Sequence, residues 1–325
     1  MPDPRDTVDQ AGRWPVVLTS FWTSIGSKLG ERFLSAAAPA LVFWLGGAGL
    51  WLISNGGKAG IKAGYDRLDH ASAGLQLVAL VVTLLTVGAS GMVVSFCATT
   101  MVRVLEGYWP PLLNPLRDGL VAVQQCRANR LDSKWQALAP RQNDPSATAS
   151  ERSTLGRLER KLRQWPADPN QFMPTRIGNI LRAAETRPAD KYGLDAVVIW
   201  PRLWPLLADS ARSELTAARA ALDAAAAAVI WGLLFCLFTV TNGWALPIGL
   251  LVTLVASTVV MPARANVFGE LVEASVDLYR ADLYRKLRWA LPDNAEAEHE
   301  RGRQLTAYLW RGSDSDTITF LPDKT

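Results

Sequence analysis

The chain has 325 residues and a formal net charge of +4, with 49% hydrophobic residues and a mean hydropathy of +0.09. Its apolar residues collect in runs that lack Asp, Glu, Lys and Arg, and the longest run holds 40 residues, from Ala224 to Ala263. Several uncharged runs of this kind exclude an ordinary soluble globular protein, because about 20 apolar residues in a helix suffice to cross a bilayer.

The N-terminal part, residues 1–31, is predicted to lie in the cytoplasm and to contain an interfacial amphipathic helix. Leu18, Trp22, Ile25 and Leu29 recur at three- and four-residue steps, which puts them on one face of a helix. Such a helix either lies on the cytoplasmic leaflet or packs on the cytoplasmic domain, and the pattern leaves both interpretations open.

Four membrane spans are predicted, in two hairpins. The fold class is therefore all-α: a polytopic membrane protein with four transmembrane helices in a 2+2 arrangement and a helical cytoplasmic domain. The second span is expected to continue as one helix to Trp109, which would then lie at the depth of an interfacial aromatic belt. The predicted hairpins are residues 32–102, with spans at about 34–53 and 75–102, and residues 224–263, with spans at about 224–240 and 246–262.

Polar residues inside the second span raise the question of a pore. The predicted spans hold no Asp, Glu, Lys, Arg or His, which argues against a pump or an ion-coupled carrier. Thr83, Thr86 and Ser90 fall near one face at three- and four-residue steps, so they are candidates for lining a pore made by several subunits. Close packing of the four helices is the alternative, and we favour it, because small residues let helices approach.

The distribution of Lys and Arg sets the orientation. The stretch from Arg103 to Asp223 holds 18 of them and the tail after Ala263 holds 9, whereas the turn between the third and fourth spans holds none. The loop at 54–73 holds three, a mild conflict with the rule. The assignment with fewest positive charges outside puts both termini in the cytoplasm, with residues 264–325 forming helices and a polar tail there.

Residues 103–223 are predicted to form a helical cytoplasmic domain with a flexible linker at 140–152. After the linker, Leu155, Leu158 and Leu162 share one face of a short helix that is otherwise basic. This basic face is expected either to attract anionic lipid headgroups or to be merely solvated. Nucleic-acid binding is not expected, because the region has a net charge of only +5 (18 minus 13) and its basic face lacks interleaved aromatic residues.

No catalytic, cofactor-binding or metal site is predicted. The usual phosphate-binding, nucleophile and zinc motifs are missing from the sequence, and His70 and His299 lie on opposite sides of the membrane in this topology. Glu185 is expected to pair with Arg182, three residues earlier on the same helix face. Asp195 is expected to be an ion-pair or capping partner, and a general-acid pair of carboxylates is the alternative.

The stretch VVIWPRLWPLL repeats a Trp-Pro pair. Its length and prolines exclude a membrane span, so Trp200, Arg202 and Trp204 are predicted to lie in the cytoplasmic domain, either in its core or at a contact between subunits. Residues 192–199 fit a short strand or a helix. A long helix is predicted to begin at Pro205 and to continue into the third span.

The stretch PTRIGNILRAAETRPADKYGLDAVVIWPRLW, residues 174–204, begins with Thr175 as a predicted helix N-cap. It resembles a segment of a family of uncharacterised bacterial multi-span membrane proteins of the actinobacterial type. The similar pieces are PTRxGNxLRAAE, YGLDAVV and WPRLW, with LEGYWP after the second span as a further anchor. The resemblance implies a polytopic bacterial membrane protein and brings no established activity or catalytic residue.

The functional expectation is a non-enzymatic, homo-oligomeric channel or pore-like assembly of the inner membrane, coupled to a cytoplasmic helical domain. One alternative is a membrane-anchored scaffold or sensor that binds a cytoplasmic protein, and another is a membrane enzyme acting on lipid. The expected partners are the lipid bilayer, further copies of the chain and a cytoplasmic protein. No cofactor is expected.

Overall fold

The structure, a computed structural model, describes residues 37–54, 57, 62, 72–141, 144, 148–312 and 320. The N-terminal amphipathic helix predicted within residues 1–31 lies outside the described residues. Those that are described form helices and hold no strand, so the all-α class is confirmed for them. The helices are α1 (Ala37–Ser54), α2 (Ala73–Glu106), α3 (Asn114–Leu138), α4 (Ala149–Leu162), α5 (Arg176–Tyr192), α6 (Ala196–Leu203), α7 (Asp209–Phe235), α8 (Ala245–Val255), α9 (Met261–Lys286) and α10 (Ala295–Arg311).

Among the described residues, four helical runs are long and apolar enough to cross a membrane, and each overlaps one predicted span. Three of these runs hold more than one helical segment. The second holds α2 and α3 with the turn at Gly107 between them, the third adds a 3-10 turn to α7, and in the fourth a π-helical segment, Ala256–Val260, joins α8 to α9. The chain is therefore a membrane protein by the length and composition of its helices. The four runs are Ala37–Ser54, Ala73–Arg141, Asp209–Val240 and Ala245–Lys286.

Two helix ends differ from the sequence expectation. α2 ends at Glu106, not at Trp109, because Gly107 adopts a positive φ of 105° that stops the helix. α7 begins at Asp209, not at Pro205. A 3-10 turn, Trp204–Leu206, precedes α7. The C-cap residue of this turn, Leu207, is extended, so the helical path is interrupted before the long helix starts.

The regions that the sequence left undecided are helical. Residues 192–199 hold the end of α5, a tight turn and the start of α6, which settles the choice between strand and helix. In the stretch 140–152, a 3-10 turn ends at Arg141 and α4 already begins at Ala149. The segment between the two helical elements is thus shorter than the predicted linker.

The chain divides into two compact units, and the first comprises Met1–Ala98 and Ala227–Thr253. Its described helices meet around a small core of Ala40, Val87, Val94 and Trp231. Within this unit a Cβ added to Gly232 would lie 2.5 Å from Thr253 Oγ1, so the close approach of α7 and α8 requires glycine there. Small residues at such contacts are typical of helices that pack in lipid.

The second unit comprises Thr99–Ala226 and Leu254–Thr325, close to the ranges predicted to lie outside the bilayer. α5, α6, α9 and α10 pack around a hydrophobic core that includes the fully buried side chains of Ile199, Leu203, Tyr284 and Leu305. α10 approaches the end of α5 so closely that a Cβ on Gly302 would lie 1.8 Å from the Tyr192 carbonyl oxygen. This core positions the candidate site described next.

Candidate functional site: a basic groove in the second unit

A groove with a volume of about 490 Å³ lies between α4, α5 and α9. Its lining includes the apolar residues Ile180 and Ala184. Five cations and one carboxylate give the lining a net charge of +4 (five minus one), and a concave surface with this excess favours an anionic ligand. We call it the basic groove, and its charged residues are Arg157, Arg160, Lys161, Arg163, Arg187 and Glu270.

α4 supplies three of these cations because of its amphipathic sequence. A capping box fixes its first turn: the Glu151 N–H donates to Thr148 Oγ1 at 3.2 Å, and the Thr148 N–H donates to the Glu151 carboxylate at 3.0 Å. Leu155 and Leu158 are buried. The basic residues of the other faces, Arg157, Arg160 and Lys161, are therefore left exposed.

A second depression, with a volume of about 410 Å³, lies along α3 and the end of α4. Lys161 and Gln164 line both this depression and the basic groove. Four further cations line it, namely Arg127, Arg130, Lys134 and Arg176. The cationic surface thus continues from the basic groove onto the side of α3.

Glu273 lies beside the basic groove at the centre of an ion-pair network. Its side chain, on α9, is only 4% exposed and binds three cations. Arg187 Nη1 lies 2.7 Å from Oε2, Lys191 Nζ lies 2.5 Å from Oε1, and Arg163 Nη2 lies 3.1 Å from Oε2. Because Arg163 follows α4 and the other two cations belong to α5, one carboxylate ties three helices together.

The protonation of Glu273 follows from this surrounding. Burial by itself would raise the pKa of the carboxyl, but hydrogen bonds from Lys191 and Arg187 outweigh it and lower the pKa to about 2. The pKa of Lys191 is raised, since the Glu273 and Asp277 carboxylates outweigh its own desolvation. Both groups lie outside the predicted spans. With these pKa directions, Glu273 is ionised and Lys191 is protonated at neutral pH.

A second polar cluster joins α5, α9 and α10. The Tyr192 hydroxyl donates to Asp277 Oδ1 at 2.8 Å, and Arg280 Nε donates to Glu298 Oε1 at 2.7 Å. The Arg280 guanidinium also lies 4.2 Å from the centroid of the Tyr192 ring, within cation–π range. Two of the helices that frame the basic groove, α5 and α9, are therefore linked by this cluster as well.

The carboxylates named from the sequence have local partners. Arg182 Nη1 lies 3.3 Å from Glu185 Oε2 on the surface of α5. Asp195 caps α6, because its Oδ1 accepts hydrogen bonds from the N–H groups of Val197 and Val198 at 2.9 and 3.3 Å. Neither carboxylate lines the basic groove.

The tryptophans of the repeated Trp-Pro pair pack against protein. Trp200 and Trp204 are half-buried, their ring centroids lie 6.0 Å apart, and both contact the core of the second unit. Arg202 is exposed, and its Nη1 donates to the Val198 carbonyl at 2.8 Å. Trp109 folds back onto the last turn of α2, where its Nε1 donates to the Val104 carbonyl at 2.7 Å.

The hydroxyl residues of the second span are bonded within the first unit. Thr83 and Thr86 are exposed, and their hydroxyls donate to the carbonyls of Ala79 and Val82, each at 2.8 Å. Ser90 accepts a hydrogen bond from Trp44 Nε1 at 3.1 Å and so links α1 to α2. Within the first unit, Ser90 therefore contributes to a contact between helices, whereas the Thr83 and Thr86 hydroxyls bond within α2.

Sequence reasoning missed Glu273 and its partners. The sequence of α9 carries Glu270, Glu273 and Asp277 at three- and four-residue steps, and α5 carries Arg187 and Lys191 four residues apart. Those spacings put complementary charges on one face of each helix. The signal was present, but the packing of α5 against α9 is a tertiary contact that the sequence does not show. Lys191 and Glu273 are 82 residues apart in the chain.

No family model matches the chain, and no curated protein or solved structure matches it. The family resemblance of residues 174–204 therefore stays a prediction. In the structure that segment forms α5, α6 and the turns around them, and the Thr175 hydroxyl accepts the Gly178 N–H at 2.9 Å as the predicted N-cap. The basic groove, where five cations line one concavity, is the feature that carries a functional assignment.

Proposed function

We propose that the chain is a multi-pass protein of the bacterial cytoplasmic membrane, related to the family that residues 174–204 resemble, with both termini in the cytoplasm. The arrangement of four spans in two hairpins is part of this proposal. The distribution of Lys and Arg supports the orientation, since 18 lie between Arg103 and Asp223 and 9 follow Ala263. On this topology the second unit, with its basic groove, works in the cytoplasm.

The function we propose is that of a membrane-anchored, non-enzymatic sensor or scaffold that binds a phosphate-bearing small molecule in the basic groove. The observation that carries it is the lining of five cations and one carboxylate. Four of the five are arginines, whose planar guanidinium groups match phosphate oxygens in bidentate geometry. The volume of about 490 Å³ is that of a small-molecule site.

The network around Glu273 supports this assignment because it fixes two of the arginines that line the groove. Arg187 and Arg163 both line the groove and bind Glu273, so the guanidinium groups of these two arginines are held in place by that carboxylate. Arg157 and Arg160 are exposed, and the hydrogen bond from Arg157 Nη2 to Thr154 Oγ1 is a long 3.4 Å, so both guanidinium groups can reach a ligand. A preorganised wall beside free arginines lowers the conformational entropy that a bound anion would otherwise cost.

A pore assembled from several copies is the second candidate. It is favoured by Thr83 and Thr86, which are exposed on the surface of the first unit and available to a neighbouring copy. Conductance of the purified protein in planar bilayers, together with its mass in nanodiscs, tests this candidate. A monomer without conductance contradicts the pore and leaves the groove assignment untouched.

Binding of inorganic pyrophosphate tests the groove. The full-length protein is placed in nanodiscs of neutral phosphatidylcholine and titrated by calorimetry at low and high salt. We expect one site per chain, and an affinity that falls as salt screens the charges. The double variant Arg157→Gln, Arg160→Gln should weaken binding at least about tenfold, because it removes two charge-assisted donors.

The matched control is Arg285→Gln with Arg303→Gln, which removes the same charge from surface positions outside the groove. This control should bind pyrophosphate like the unmodified chain. Equal weakening by both double variants would show a general charge effect, and no binding by the unmodified chain would show that the groove does not hold phosphate. Either result overturns the assignment.

A further inference from the structure

The first half of α3 and the turn before it leave apolar side chains exposed. Leu112 is 88% exposed, Leu116 is 54% exposed and Val123 is 45% exposed, and Leu113 also lies on the surface. In α3 itself the buried residues are Gln124 and Ala128, which face the protein. Large apolar side chains grouped on one surface mark a site of contact.

The exposed leucines lie close in the chain to a helix that crosses the membrane. α2 ends at Glu106, and Gly107 turns the chain with a φ of 105°. The Trp109 side chain then folds back onto the last turn of α2 through its bond to the Val104 carbonyl. Leu112 follows three residues later, so the apolar surface begins where the second span leaves the bilayer.

The same side of α3 becomes basic towards its end. Positions 116, 120, 123, 127, 130 and 134 follow each other at steps of four and three residues, which puts them along one line of the helix. The first three are Leu116, Leu120 and Val123, and the last three are Arg127, Arg130 and Lys134. All three cations are exposed and line the depression that Lys161 and Arg176 share with them.

We infer that this line of α3, which we call the docking stripe, lies on the surface of an anionic bilayer. Its apolar side chains, together with Leu112 just before α3, enter the headgroup region, and its three cations bind the phosphates of the lipids. Apolar burial and electrostatic attraction together are the two signals that hold a helix in the interface, because either one alone gives weak binding. The continuity with the second span supplies the membrane at the place where the stripe begins.

The inference is independent of the proposed function. In the inference, the docking stripe of α3 binds a lipid surface, whereas in the proposed function the basic groove beside α4 binds a soluble ligand. Lys161 lines both depressions but is not part of the docking stripe. The test therefore leaves Lys161 unchanged. A negative result for the stripe leaves the pyrophosphate titration valid, and the reverse holds equally.

Spin labels on the full-length protein test the docking stripe. The native cysteines, Cys97, Cys126 and Cys236, are replaced by serine, and single labels follow Leu112→Cys, Leu116→Cys and, as a control, Asn129→Cys, an exposed position on another side of α3. The accessibility of each label to oxygen and to a water-soluble nickel chelate is measured in nanodiscs that contain phosphatidylglycerol. We expect the oxygen-to-nickel ratio to be several-fold higher at positions 112 and 116 than at 129.

A triple variant, Arg127→Gln, Arg130→Gln and Lys134→Gln, examines the basic half. This variant should lower the oxygen-to-nickel ratio at position 116 in nanodiscs that contain phosphatidylglycerol. In nanodiscs of phosphatidylcholine alone, the chain with its three cations intact should give the same low ratio. Inorganic phosphate added to neutral nanodiscs should leave the ratio unchanged, which separates lipid from free anion. Equal ratios at 112, 116 and 129 overturn the inference. It is also overturned if the labels become shielded from both probes as more copies are loaded per nanodisc, because that result indicates contact between copies.

Discussion

The two units hold their helices together by different chemistry. In the first unit, rings and small residues make the contacts: the Phe43 and Trp231 rings lie 4.8 Å apart, and the Trp44 indole donates to Ser90 at 3.1 Å. In the second unit a hydrophobic core is joined to a charged network, in which Glu273 binds three cations. On the proposed topology, this difference follows from the solvent of each unit: lipid around the first and water around the second.

Lipid gives helices no hydrophobic reason to associate, so close packing and single hydrogen bonds must do so. Water does drive apolar burial, and the second unit buries Leu203, Leu283 and Leu305 completely. A carboxylate taken out of water must then be matched by cations, because an unmatched buried charge costs several kcal/mol. The network around Glu273 therefore marks a position where loss of one group has a large effect.

Glu273→Gln should have the largest effect. The pKa of Glu273 falls from 4.5 to about 2 on folding, which corresponds to about 3 kcal/mol at neutral pH at roughly 1.4 kcal/mol per tenfold change. The variant should lose about this much stability. Thermal unfolding in nanodiscs and hydrogen exchange of the α5 and α9 amides measure the loss.

The pH dependence provides a second measurement. Because the folded pKa of Glu273 is depressed, its contribution is complete above about pH 4.5 and disappears as the pH falls towards 2. The Gln variant should lack this part of the acid transition. Glu185→Gln is the control, since its partner Arg182 is 3.3 Å away on the surface, and it should cost less than about 1 kcal/mol. A Glu273 variant as stable as this control contradicts the network's importance.

Gly302→Ala should have the next largest effect. The added Cβ would lie 1.8 Å from the Tyr192 carbonyl oxygen, and the three nearest atoms are all backbone atoms, so α10 must move away from α5. We expect a loss of about 2 kcal/mol, in the range of overpacked cores. Hydrogen exchange of the α10 amides measures the displacement.

Gly119→Ala is the control for that variant, because Gly119 lies within α3 and a Cβ there would meet nothing within 4 Å. It should stabilise the helix by about 0.5 to 1 kcal/mol. Opposite signs for the two glycines would support packing as the cause. A loss of equal size at both positions would instead indicate a general intolerance of substitution and would contradict the close contact of α10 with α5.

The sequence predicted the elements whose signals are local. Uncharged length identified the four membrane-crossing runs, and Thr175 was identified as a cap because its hydroxyl needs only the Gly178 N–H three residues on. The end of α2 was predicted three residues too late. Gly107 fits a helix by composition, and its φ of 105° is selected where the chain meets Pro174, since a Cβ there would lie 2.2 Å from Pro174 Cγ.

The candidate site was predicted only in part. The basic character of α4 was visible, because Arg157, Arg160 and Lys161 are neighbours in the sequence. The groove was not, because its other walls come from Arg187 on α5 and Glu270 on α9, more than 80 residues apart. A concave surface depends on which helices pack together, and periodicity within one helix does not contain that information.

Ser90→Ala should have the smallest effect, and it tests how much a single hydrogen bond between helices contributes in the first unit. The substitution removes the acceptor of Trp44 Nε1, and hydrogen bonds between membrane helices contribute about 0.6 kcal/mol on average. SDS-induced unfolding in mixed micelles measures this difference, with Thr86→Val as the control, whose hydroxyl bonds only its own helix at Val82. If Ser90→Ala instead cost as much as Glu273→Gln, single polar links would dominate in both units and the contrast between them would be wrong. A change in conductance without a change in stability would indicate that Ser90 lines a pore and does not serve helix packing.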